Sequence, residues 1–136
     1  MPAYARNIDQ RELDEPLYAT AAVATDGSNA TLVTITTRNG MGKAVPCEFG
    51  VRLSDNASGL GLTATTASGN VTDKTAGTTG QLLATQVAKK ALWVQTTAAG
   101  TYQLSITDTA KTAFVIVVVI DGLVMPVATL ATASYG

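Results

Sequence analysis

Phe114-Val115-Ile116-Val117-Val118-Val119-Ile120 runs apolar without a break, stops at Asp121-Gly122, and resumes as Leu123-Val124-Met125-Pro126-Val127. Asp-Gly between two β-branched runs reads as a strand, a tight turn and a returning strand. The 112–130 stretch is long enough to suggest a membrane span. Against that, Asp121, Gly122 and Pro126 interrupt it, and seven of the residues from Val115 to Val124 are β-branched, which favours buried strands. A half-exposed antiparallel strand alternates apolar with polar residues, so a run that is apolar on both faces needs cover on both. The reading assigns one face to the chain's own core and the other to a partner, with Val115, Val117 and Val119 as contact residues.

Working outward, Thr, Val, Ala and Gly dominate from Tyr18 onward, which favours strands joined by turns. Strands are predicted near 18–25, 30–38, 47–53, 60–66, 81–87, 91–97, 101–107, 112–120 and 123–130, with 82–91 open to a helical turn as well. Asp26-Gly27-Ser28-Asn29, Asn39-Gly40, Ser54-Asp55-Asn56 and Ala99-Gly100 punctuate them with residues that bend the backbone. The stretch from Ala67 to Gly80 has no apolar periodicity and reads as a surface loop. Many short strands at this spacing predict an all-β, antiparallel β-sandwich. Alternation places Tyr102, Leu104 and Ile106 on the core face, and Leu92 and Val94 likewise, leaving Trp93 as an outer-face anchor or, with the register reversed, a core residue.

Charge divides the chain. Arg6, Asp9, Arg11, Glu12, Asp14 and Glu15 fall within the first twenty residues, so residues 1–17 read as an extended N-terminal arm and 18–136 as the sandwich domain. Either the arm is a solvated leader or it orders on a neighbouring subunit; on the second reading Tyr4, Arg6, Ile8, Arg11, Leu13 and Leu17 are contact residues. The start, Met1-Pro2-Ala3-Tyr4-Ala5-Arg6, lacks the pattern of a secretory signal, which predicts a protein made and kept in the cytoplasm of its producing cell. Only 14% of the chain is charged against 46% hydrophobic, well below the roughly 25% charge of an average domain, and this suits a molecule packed against neighbours. A net charge of −1 without a basic cluster argues against direct nucleic-acid binding and against adhesion to anionic membranes.

Histidine is absent and Cys47 is the only thiol. The usual general base, the histidine-dependent triads and the commonest metal-ligand sets are thereby removed. The body carboxylates, Asp26, Glu48, Asp55, Asp73, Asp108 and Asp121, mostly sit in turns and fit no calcium loop. Gly40-Met41-Gly42-Lys43 lacks the spacing of a phosphate loop. No enzyme activity, cofactor or metal is expected, and Cys47 reads as a small buried hydrophobe.

Leu92-Trp93-Val94-Gln95-Thr96-Thr97-Ala98-Ala99-Gly100-Thr101-Tyr102-Gln103-Leu104-Ser105-Ile106-Thr107-Asp108 resembles the closing strands of bacterial and phage immunoglobulin-like domains. Leu32-Val33-Thr34-Ile35-Thr36, with Asn39-Gly40 and Ala44-Val45-Pro46, is similar to their first half. The likeness covers roughly residues 30 to 108; the strand count also suits a jelly roll, and the 112–130 hairpin lies beyond the match. A small Ala/Thr/Gly-rich domain of this kind with a charged arm resembles the head decoration, or cement, proteins of tailed bacteriophages. That resemblance implies a virion structural protein on the outer capsid surface, made in a bacterial host, bridging subunits of the major capsid protein and forming a homo-oligomer. The alternative is an adhesion or carbohydrate-binding module displayed on a phage head, collar or tail, with Trp93, Tyr102 or the 67–80 loop lining its site.

Overall fold

The computed structural model describes residues 15–136, and these form two antiparallel sheets packed face to face. The strands are β1 (Tyr18–Thr25), β2 (Ala30–Arg38), β3 (Glu48–Ser54), β4 (Val71–Asp73), β5 (Gln81–Val87), β6 (Ala91–Gln95), β7 (Thr101–Thr107), β8 (Val115–Ile120) and β9 (Leu123–Thr129). One sheet, A, has the order β1-β2-β7-β4; the other, B, has the order β5-β6-β3-β8-β9. The hairpin at Asp121-Gly122 forms as its sequence demands, with φ of 49° and 79° at the two turn residues, the left-handed pair of a two-residue turn that matches strand twist. The 112–130 stretch is thus a strand pair, and 82–91 is a strand and turn.

The β-sandwich follows the immunoglobulin pairing scheme. β1-β2-β7-β4 and β3-β8-β9 take the places of the ABED and CFG strands, and β6 and β5 extend the second sheet beyond β3. The departure is in chain order, since β4 precedes the two added strands.

Two segments differ from expectation. Residues 60–66 form no strand: Gly59 and Gly61 take φ of +80° and +77°, which breaks a ladder, and a single backbone bond reaches back to β3, the Thr63 amide donating to the Leu53 carbonyl at 2.7 Å. The strand appears instead at β4, inside the stretch read as loop, where Val71 and Asp73 both turn inward. Asp73 is tolerated there because its carboxylate accepts from the Tyr102 hydroxyl at 2.6 Å and the Leu82 amide at 2.9 Å. That one side chain ties β4 and β7 of sheet A to β5 of sheet B.

The core lies between the sheets, with Val33 and Ile35 of β2, Phe49, Val51 and Leu53 of β3, and Ile116 and Val118 of β8 all closed to solvent. Tyr102, Leu104 and Ile106 face inward as predicted, and the Tyr102 ring meets Phe49 edge-on at 6.0 Å across the interlayer space. Burial, then the neighbouring Asp73 carboxylate, hold the Tyr102 phenol well above its usual range. A second carboxylate, Asp108, closes the β7–β8 connection and accepts from the amides of Thr112, Ser68 and Ala110. Burial pushes its carboxyl up, but these bonds outweigh burial and hold it down at about 2.

Tyr102→Phe removes a hydrogen bond to a charged group and leaves a carboxylate oxygen without its partner, so the unfolding free energy should fall by about 1.5–3 kcal/mol. Urea denaturation measures this, and a loss below about 0.5 kcal/mol would show that the Asp73 tie contributes little. For Asp108, a folded pKa below the unfolded value means stability that is present above about pH 4 and lost as pH falls towards 2. The stability difference between wild type and Asp108→Asn should therefore be about 2 kcal/mol at pH 6 and shrink between pH 4 and 2; a difference constant over that window would refute the assignment.

Candidate interaction surface

Because side chains alternate along a strand, the inward set of sheet B dictates the outward one. Phe49, Val51 and Leu53 face the core, so Glu48, Gly50 and Arg52 face out; Ile116 and Val118 face the core, so Val117 and Val119 face out. Register then aligns them across strands. Ala84, Trp93, Gly50, Val119 and Val124 are successive cross-strand partners from β5 to β9, giving a row of five outward positions without a charge or a hydrogen-bonding side chain other than the indole. β-Bulges after Leu82 and after Thr85 keep the outer strand in step with this row. A Cβ on Gly50 would lie 3.5 Å from the Val119 Cβ and 3.7 Å from Trp93 Cε3, so the indole and Val119 close over the glycine from either side. Trp93 takes the outer-face position and remains partly exposed.

The expectation that Val115, Val117 and Val119 together await a partner is corrected at two of the three. Val117 is fully buried and Val115 nearly so, because the chain covers them itself. The segment after β3 folds back over β8, anchored by the Asp55 carboxylate, which accepts from the Thr63 hydroxyl and the Ala64 amide and is held below its ordinary range by those two bonds. This brings Gly59 against Val117: a Cβ there would lie 3.1 Å from Val117 Cγ2 and 3.5 Å from Pro126 Cδ. Val119, beyond the reach of the segment, stays partly exposed. The same segment leaves Leu60 and Leu62 exposed at 67% and 40%, so self-cover of β8 leaves apolar surface beside the row.

Leu17 is exposed at 53% and belongs elsewhere. Its amide donates to the Arg38 carbonyl at 2.8 Å, and its side chain lines an open hollow of about 520 Å³ with Glu15, Pro16, Gly40, Met41 and Asp121. Tyr4, Arg6, Ile8, Arg11 and Leu13 lie outside the described residues. Trp93 and Val119 are therefore brought together by the structure, while Leu17 stands apart. Gly50, Ala84 and Val124 are the surface residues that sequence reasoning missed, since only register reveals them. Tyr102, a possible glycan contact by sequence, is closed to solvent and cannot line an exposed site.

Among the described residues no three carboxylates or thiols gather where a metal could be held. The Cys47 thiol is partly buried, packs against the core edge, and is pushed up to about 11 by burial and by the Asp121 and Glu48 carboxylates, so it is protonated at neutral pH and a poor nucleophile. Comparison with protein-family models, curated proteins and solved structures finds no match to this chain.

Gly59→Ala places a side chain in a left-handed conformation and against Val117, whereas Gly61→Ala meets only the conformational penalty, with nothing within 4 Å of its Cβ. The first should cost about 2–3 kcal/mol and the second about 1 kcal/mol. Equal losses in urea melts would show that the cover over Val117 is not closely packed.

Proposed function

We propose that the chain is a non-enzymatic structural subunit of a virus particle, a decoration protein that bridges and stabilises major capsid subunits on the outside of a tailed-phage head. The observation that supports this most is the uncharged row Ala84–Trp93–Gly50–Val119–Val124 across sheet B. Burying Trp93, Val119 and Val124 against protein would contribute at most ~1.5–3 kcal/mol each, from which association subtracts its own entropic cost. One such contact is weak. Repeated over a shell and joined to a second contact through residues 1–17, it holds by avidity. The low charge of the chain, 14%, fits a surface covered by neighbours better than one bathed in solvent.

A second reading draws on the partly exposed Trp93 ring beside Gly50, a flat aromatic platform of the kind that stacks on sugar rings. Density-gradient fractionation of lysate from producing cells separates the two, following the chain by antibody alongside DNA. The structural role predicts co-migration with dense, DNA-filled particles, lost when residues 2–17 are deleted. Recovery of the full chain only as a small soluble species overturns it, and glycan binding abolished by Trp93→Ala would then establish the second.

A further inference from the structure

We propose that the occupant of the sheet B face is a second copy of this chain, packed about a two-fold axis that runs along the row through Gly50. This rests on the reading of that face as an interface and names its partner. An interface between identical subunits about a two-fold must be self-complementary, because each contact of one residue with another is repeated with the two roles exchanged. The outward residues of β3 satisfy this: Gly50 is the midpoint, Glu48 lies two residues to one side and Arg52 two residues to the other, about 7 Å each way. Neither side chain has a hydrogen bond or ion pair among the described residues, where the ion pair present is Lys74–Asp26 at the far end of sheet A. A carboxylate and a guanidinium thus flank an apolar row on a face that offers them no partner among the described residues.

Charge selects the geometry. With the axis along the row, the two β3 strands run antiparallel, and Glu48 stands over Arg52 of the partner subunit, twice per dimer. With the axis along β3 instead, Glu48 would meet Glu48 of the partner subunit and Arg52 would meet Arg52 of the partner subunit, like charges that repel. The half of sheet B closed by the segment after β3 then lies against the open half of the partner subunit, and the Trp93, Glu48 and Arg52 side chains project into the space between the two faces. The low charge of the rest of the row means that these two groups dominate the choice of register.

Sedimentation equilibrium of the full chain, free of particles, tests this across micromolar to millimolar concentration. The wild type should dimerise; Glu48→Arg and Arg52→Glu should each weaken the dimer by about tenfold or more; and the double exchange Glu48→Arg/Arg52→Glu should restore it to within about threefold of wild type. A monomer throughout, a dimer indifferent to both single reversals, or a double exchange no stronger than the singles would each overturn the proposal. Circular dichroism of each variant ensures that a lost dimer is not a lost fold, and the double exchange carries both new side chains, so its recovery excludes a folding defect in either. Particle binding by a chain that stays monomeric would overturn the dimer and leave the capsid role standing; a dimer that never meets particles would do the reverse.

Discussion

A strand that is apolar on both faces has to be covered twice, and β8 sets that requirement for this molecule. Its inner residues, Ile116, Val118 and Ile120, are met by the opposite sheet. Its outer residues need a second layer, and the chain supplies one only in part, by sending the segment after β3 back across Val117. The length of the β3–β4 connection, the left-handed glycine at its bend and the carboxylate clip at Asp55 all follow from that one need. So does the division of sheet B's outer surface into a half closed by its own chain and a half left open at Val119.

Local chemistry is what the sequence makes legible. Asp121-Gly122 specifies its turn from two residues, and the alternation of Tyr102, Leu104 and Ile106 fixes a face without reference to anything distant. The segments that resist reading are those whose state depends on remote partners. Leu60 to Thr66 has strand-like composition, yet the left-handed glycines on either side of Leu60 deny it a ladder. Val71 to Asp73 looks like loop because aspartate belongs in turns, and the Leu82 amide together with Tyr102, far along the chain, makes it a buried strand residue. In the second case local propensity is overridden by a contact that no window of sequence contains.

The candidate surface divides in the same way. Trp93 is identifiable as outward-facing because Leu92 and Val94 are inward, an inference within three residues. The row to which it belongs draws one residue from each of five strands, and it exists only once pairing register is known. Val115 and Val117 mislead because a two-faced apolar strand announces the need for cover and is silent about who provides it. A glycine at position 59, more than fifty residues before either valine, answers that question at Val117.

Sheet B has another open boundary besides its face. β9 lies beside β1, but β5 is solvent-exposed along nearly its whole length, and Gln81–Val87 contains no charge and no proline. Such an edge ordinarily templates the next strand and invites open-ended growth. Here the two bulges interrupt the hydrogen-bonding rhythm twice within seven residues, so an incoming strand cannot stay in step with it and the twist turns the edge aside. Irregularity at the rim thereby steers association away from polymerisation, towards contacts that saturate once made.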